Sequence, residues 1–216
     1  MKRITFITGH YGSGKSEFAV NLAISEGANM IVDLDIINPY FRSRELARLL
    51  EEKNVSLVSS PLKDATGSDL PYIAKEAYQP FSAPDIRAIY DLGGDRAGAR
   101  LMRQFKDLMN IAEVDLLLCV NVYRELTSSP EKITDIIRQI EESAGFRVTG
   151  LINNSNFLRD TTYDDLLYGE TVLKEVEKRT RLAIVYTGVY EDLAKKCGPL
   201  AGQVIPLKLY LRKKWL

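Results

Sequence analysis

Residues 9–16 read GHYGSGKS, a run in which glycine stands first and sixth and a Lys-Ser pair closes the pattern. This is the G-x-x-x-x-G-K-[ST] spacing, a P-loop, in which successive backbone N–H groups converge on one phosphate chain. Gly9, Gly12 and Gly14 can adopt backbone conformations closed to other residues and leave room for an anion. Lys15 can reach the β- and γ-phosphates of a nucleoside triphosphate, and the Ser16 hydroxyl can ligate Mg²⁺. Ser13 inside the loop and Glu17 just after it complete the expected contact set. Such a loop works only between a strand and a helix, because it must turn back sharply. The β-branched run at 3–8 and the helix-forming stretch from Lys15 onward provide both.

Acidic residues follow two further apolar runs. Residues 31–39 read IVDLDIINP, which puts Asp33 and Asp35 at the carboxyl end of a strand, the edge where open α/β sheets hold their ligands. Side chains two apart on a strand point the same way, so one carboxylate can serve a metal shell while the other orients an attacking water. Capping of the next element is the plainer alternative. Residues 86–95 read IRAIYDLGGD, an apolar run ending in Asp91 and followed by two glycines. Asp91 would hold Mg²⁺, directly or through water, and the backbone at Gly93 and Gly94 could approach the γ-phosphate and move when it leaves.

These residues need a scaffold, and the rest of the chain describes one. Apolar runs at 3–8, 30–34, 55–58, 86–92, 115–122, 148–153 and 183–187 alternate with helix-period stretches at 15–26, 43–53, 97–111, 130–143 and 163–178. The pattern predicts an α/β fold: three layers, α/β/α, around a mostly parallel sheet of about seven strands. Leu116, Leu117 and Leu118 mark a central strand covered on both faces, with Cys119 a buried small hydrophobe. Residues 59–84 are the least regular part, broken by five glycines and prolines, with a short helix expected at 72–78.

The 216 residues, 45% of them hydrophobic, suit one domain spanning 1–216. Acidic and basic residues balance at 29 each, so no global field attracts nucleic acid or an anionic membrane. Two distant cysteines and a single histidine offer neither a disulfide framework nor a zinc site, and a reducing cytoplasm fits. No run approaches the roughly 18 apolar residues of a membrane span.

Taken together, GHYGSGKS, VDLDIINP and YDLGG resemble the MinD and ParA family of P-loop ATPases, in the SIMIBI class that also holds the nitrogenase iron protein. The chain is similar as well to the nucleotide-binding domain of cobyrinic acid a,c-diamide synthase. The three matches span about the first hundred residues, and the later alternation is compatible with them. The resemblance implies that Asp35 is the catalytic, water-orienting aspartate, Asp33 its switch I partner and Asp91 the Mg²⁺-associated aspartate, with Lys15 catalytic and Gly94 a nucleotide contact. It also implies an ATP-dependent homodimer. In the family a second lysine usually follows the first loop glycine and reaches the partner's phosphates; here His10 stands there. Arg42, Arg44, Arg96 and Arg100 are candidates to supply that charge, or simply solvate helix starts.

The [NT]-K-x-D segment that reads guanine is absent, which favours ATP. In LINNSN, residues 151–156, Asn153 or Asn154 stands where the family places an asparagine beside adenine; a plain turn former is the alternative. The tail VIPLKLYLRKKWL is basic and aromatic like an interfacial anchor, yet Pro206 and the near-alternation of Leu207, Leu209 and Leu211 favour a final strand or a docked tail. The expected protein is a Mg²⁺-dependent ATPase working on a protein or small-molecule partner. A small-molecule kinase, a ligase or amidase of the dethiobiotin synthetase type, and a binding module with little turnover are the alternatives.

Overall fold

The computed structural model describes residues 1–35, 44–59 and 73–211. Its strands are β1 (Ile4–Thr8), β2 (Met30–Leu34), β3 (Ser56–Ser59), β4 (Ala88–Leu92), β5 (Val114–Val120), β6 (Gly150–Asn153), β7 (Ile184–Tyr190) and β8 (Gln203–Leu207). All pair in parallel in one sheet, ordered β3-β2-β4-β1-β5-β6-β7-β8. The helices are α1 (Lys15–Glu26), α2 (Arg44–Glu52), α3 (Gln79–Ser82), α4 (Arg96–Arg100), α5 (Pro130–Ala144), α6 (Tyr163–Thr180) and α7 (Glu191–Ala194).

Alternation along each strand divides the apolar residues between two cores. On β5, Leu116 and Leu118 face one layer with α5 and α6, through Ile133, Ile137, Leu173 and Val176. Leu117 and Cys119 face the other, with Phe18 and Leu22 of α1 and Leu46 and Leu50 of α2. This is the three-layer α/β/α architecture expected, with the doubly covered central strand where the leucine run placed it. Parallel strands buried on both faces need helices above and below, so α1 is buried nearly all round from Lys15 to Ala23. In the first core Phe6 stacks on Tyr90 at 4.4 Å between ring centroids, and Phe105 meets both rings. The Tyr90 hydroxyl donates to the Ala77 carbonyl at 2.7 Å, which satisfies its one polar atom inside the core.

Three expectations shift. The helix predicted over 97–111 is α4 followed by a 3₁₀ segment, Leu101–Leu108, whose tighter winding keeps Met102 and Phe105, three apart, over the same core. The short helix predicted at 72–78 is a 3₁₀ turn, Lys75–Tyr78, running into α3; Tyr72 lies outside the described residues. The sheet gains an eighth strand from the tail: β8 pairs with β7, and Pro206 is accommodated because β8 is an edge. Residues 212–216, with most of the basic cluster, lie outside the described residues.

Candidate nucleotide-binding site

The P-loop joins β1 to α1 in the middle of the sheet, where β1 lies between β4 and β5. Strand ends of β2, β4, β5 and β6 therefore converge on it from the same edge. Gly14 caps α1 with φ 81°, a left-handed conformation, and a Cβ there would come 2.5 Å from Asn154 Nδ2. Gly12 is also left-handed, and its carbonyl accepts from Arg124 Nε at 3.0 Å. Gly9 packs against the Cys119 carbonyl and the Ser13 hydroxyl. Gly94 lies so close to the loop that a Cβ would fall 2.0 Å from the Gly9 carbonyl oxygen, and Thr8 Oγ1 donates to the Gly93 carbonyl at 3.3 Å. The glycine pair after β4 is thus pressed onto the P-loop backbone.

Lys15, Asp33, Asp35 and Asp91 are all buried at this edge. Lys15 Nζ donates to Asp35 Oδ2 at 2.6 Å. Burial alone would lower the Lys15 ammonium, yet Asp91 and Asp35 together hold it above its ordinary value. Ser16 Oγ donates to Asp91 Oδ2 in a short contact, and Asp33 Oδ1 accepts the Asp35 backbone N–H at 3.0 Å. Burial, with Asp91 nearby, raises the Asp33 carboxyl to about 7. Burial likewise raises Asp91 to about 6, against the pull of Lys15 and Ser16. Three carboxylates around one ammonium leave a net demand for positive charge.

Asp91 Oδ1 is buried and has no hydrogen-bond partner. An orphaned carboxylate oxygen beside a serine hydroxyl, in an acidic cluster, fits a hard divalent cation that takes oxygen ligands. Among the described residues no group of three or more His, Cys, Asp or Glu is placed to hold a metal ion.

The remaining predicted residues separate. Asn154 Nδ2 donates to the Ser13 carbonyl at 2.7 Å, so Asn154 belongs to the loop's wall. Asn153 turns away: its Nδ2 donates to the Leu166 carbonyl and its Oδ1 accepts from Ser155 N, which fixes the β6–α6 connection. Glu17 accepts the backbone N–H groups of Tyr210 and Leu211, so its carboxylate holds the chain's tail. His10 is half-buried, with Nδ1 3.1 Å from the Tyr11 carbonyl oxygen. Arg96 and Arg100 are exposed at the two ends of α4, while Arg42 and the Arg44 side chain lie outside what is described. Two participants escaped the sequence reading. Arg124 and Cys119 both bond loop carbonyls, at Gly12 and Ser13. The carboxyl end of the leucine-rich β5, at the same sheet edge as the P-loop, was the available signal for both.

No family model matches the sequence, and no curated protein matches it. Solved structures share its fold. The signal recognition particle receptor FtsY from Elizabethkingia anophelis in complex with GDP is 20% identical, covering 88% of this chain and 58% of that one, with a TM-score of 0.54. Chloroplast FtsY from Physcomitrella patens is 16% identical over 88% and 60% of the two chains, with a TM-score of 0.55. FtsY from Mycoplasma mycoides is 16% identical over 88% and 61%, with a TM-score of 0.51. The chain spans about three fifths of the length of these structures. The likeness is one of fold: the three-layer α/β/α arrangement around a parallel sheet is shared with these structures. Among the described residues no helix is long and apolar enough to cross a membrane.

Proposed function

We propose that this chain is a Mg²⁺-dependent P-loop ATPase of the MinD and ParA type, coupling hydrolysis to a partner. The Lys15–Asp35 contact at 2.6 Å, beside the Ser16–Asp91 pair, carries the reading, because it joins a phosphate-binding group to a water-orienting one. Lys15 has three N–H donors, of which Asp35 needs one; the others can hold β- and γ-phosphate oxygens. Asp35 then stands within reach of a water in line with the γ-phosphate, and its carboxylate orients that water for attack. Ser16 and Asp91, with Asp33 behind them, are the residues that would hold Mg²⁺, which when bound supplies charge neutralisation on the phosphates. Gly93 and Gly94, packed on Gly9, give the loop a backbone that can register loss of the γ-phosphate.

ATP is favoured over GTP by the orientation of one amide. Asn154 Nδ2 is spent on the Ser13 carbonyl, which leaves Oδ1 as a buried acceptor with no partner. An acceptor suits the 6-amino group of adenine and opposes the 6-keto oxygen of guanine. FtsY from Elizabethkingia anophelis, by contrast, is in complex with GDP. An ATP-dependent homodimer, with His10 at the exposed loop, remains part of the proposal. The test is Lys15→Ala with a fluorescent ATP analogue and Mg²⁺. Affinity should fall by about 100-fold, the order seen when one partner of a desolvated charge contact is truncated. A variant that binds ATP like the parent sinks the reading.

A further inference from the structure

Residues 10–13 form a tight turn at the front of the P-loop. Ser13 N donates to the His10 carbonyl at 2.9 Å, and Gly12, third of the four residues, is left-handed with φ 78°. That is the backbone of a type II turn, which demands positive φ at this position. A trans peptide points its C=O and N–H in opposite directions, so the Ser13 N–H bonded inside the turn sends the Gly12 carbonyl outward. There Arg124 Nε donates to it at 3.0 Å. The next carbonyl, that of Ser13, is held as well, by Asn154 Nδ2 and the Cys119 thiol. By the same planarity the Gly14 N–H points the other way, and it has no partner among the described residues. Two consecutive carbonyls held outward leave the N–H groups from Gly14 into the first turn of α1 aimed at an anion.

Arg124 is placed for this by a braced connection between β5 and α5. Its N–H donates to the Asn121 carbonyl at 3.1 Å, and its carbonyl accepts Thr127 N at 3.0 Å. Asn121 and Thr127, each 1% exposed, lock that turn: Thr127 Oγ1 donates to the Asn121 carbonyl at 2.6 Å, and Asn121 Oδ1 accepts Tyr123 N at 3.0 Å. The guanidinium lies alongside Gly12, with Nε 3.2 Å and Cζ 3.6 Å from where a Cβ would stand. Arg124 is nevertheless exposed, and its guanidinium makes no other hydrogen bond or ion pair among the described residues. Ordering a long side chain costs rotamer freedom, and the one bond that offsets the cost here is to the Gly12 carbonyl. A cavity of about 560 Å³ beside Lys15 is lined by Leu126 of the same connection and by Ile136 and Ile140 of α5, but not by Arg124. Arg124 therefore backs the loop from outside rather than sharing that space with Lys15.

We propose that Arg124 is a positioning residue for phosphate binding: through the Gly12 carbonyl it holds the 10–13 turn in the conformation that presents the loop's N–H groups to the nucleotide. The proposal rests on reading residues 9–16 as the nucleotide's phosphate cradle. It makes the β5–α5 connection part of the nucleotide site, and the charge on Arg124 strengthens its bond to the carbonyl.

The test is a series of substitutions at position 124 in the full chain. Glutamine carries its amide nitrogen where arginine has Nε and keeps the donor without the charge; methionine keeps the length without either; lysine keeps the charge with its nitrogen one bond farther out. In the nucleotide-free protein the Ser13 amide should exchange about tenfold faster in Arg124→Met and at the parental rate in Arg124→Gln. With Mg²⁺ present, ADP and a non-hydrolysable ATP analogue should each lose about tenfold in affinity in Arg124→Met, by the same factor, because the loop cradles the α- and β-phosphates they share. Arg124→Gln should recover most of that loss and Arg124→Lys less of it. The thermal midpoint without nucleotide should stay within about 3 °C of the parent in all three, as for a surface substitution. Parental Ser13 exchange or parental affinity in Arg124→Met overturns the proposal. So does rescue by lysine and not by glutamine, which assigns the effect to charge alone. A loss confined to the ATP analogue would make Arg124 a γ-phosphate contact and overturns it too. If the parent binds neither nucleotide, the functional reading fails, and the Ser13 exchange series by itself decides whether Arg124 holds the loop.

Discussion

The Glu17 carboxylate, one residue past the Ser16 hydroxyl, accepts the backbone N–H of Tyr210 at 2.5 Å across 193 positions of sequence. Leu211 N donates to the same carboxylate, and one turn on, Asn21 both donates to the Lys208 carbonyl and accepts its N–H. The tail beyond β8 is therefore read by the helix that begins at the P-loop. Glu17→Ala should remove two charge-assisted bonds and cost about 1–3 kcal/mol. Hydrogen exchange at 208–211 should accelerate by tenfold or thereabouts, while protection in β5 falls only with global stability. Unchanged protection of the tail would show that Asn21 and the β7–β8 ladder hold it alone.

Lys15 and Asp35 form a buried pair, with side chains 8% and 3% exposed. Removing one member strands the other charge, so Lys15→Met should destabilise the protein by about 3–5 kcal/mol in urea unfolding. Asp35→Asn added to it should return a large part of that loss, giving a coupling of about 1–3 kcal/mol in the double-mutant cycle. Additive effects would mean that the two groups do not meet in solution.

At Gly94 the constraint is backbone against backbone. A methyl group placed 2.0 Å from the Gly9 carbonyl oxygen forces the β4 loop and the P-loop apart, and no side chain is available to yield. Gly94→Ala should cost about 1–3 kcal/mol and weaken nucleotide binding together with it. Thermal unfolding with and without ATP and Mg²⁺ measures both. A fully folded variant with parental affinity would place the loop farther away than it stands here.

Burial pushes the Cys119 thiol up to about 12, and its S–H donates to the Ser13 carbonyl. At pH 8 its thiolate fraction is about 1 in 10,000, and the sulfur has no exposed surface. Ellman's reagent should therefore titrate one thiol in the native protein, the half-buried Cys197, and two in urea. Raising the pH towards 9 should not recruit the second while the fold persists.

The sequence was most legible where chemistry and backbone demand coincide. The P-loop, Asp33, Asp35 and Asp91 announce themselves because each ends a run whose alternation sets a strand, and the sheet edge then gathers them. Glu17 could not be read that way. Its partner lies 193 residues on, and nothing local separates a carboxylate that holds a tail from one that faces a nucleotide. Ile136 and Ile140 show the same limit: four apart on a helix, they read as a core stripe, and Ile140 is indeed buried while also lining the cavity. Asn153 and Asn154 were indistinguishable as letters. Only the pleat of β6 sends one amide to Leu166 and the other to the P-loop.

That difference makes Asn154 the sharpest test of base choice. Its Nδ2 is committed to the Ser13 carbonyl, so the amide cannot flip without losing a 2.7 Å hydrogen bond. The parent should therefore bind ATP in preference to GTP, the acceptor Oδ1 matching an amino group at position 6 of the base and opposing a keto oxygen. Asn154→Leu, close to isosteric, removes that acceptor and leaves the Ser13 carbonyl with the Cys119 thiol as its remaining donor. Affinity for ATP should fall by about tenfold and the ATP-to-GTP ratio by a similar factor, whereas Asn153→Leu should lower stability without changing the ratio. Competition binding against one fluorescent analogue reads both ratios in one experiment. A parent that prefers GTP, or an Asn154 variant that keeps the parental ratio, would move base recognition away from this asparagine.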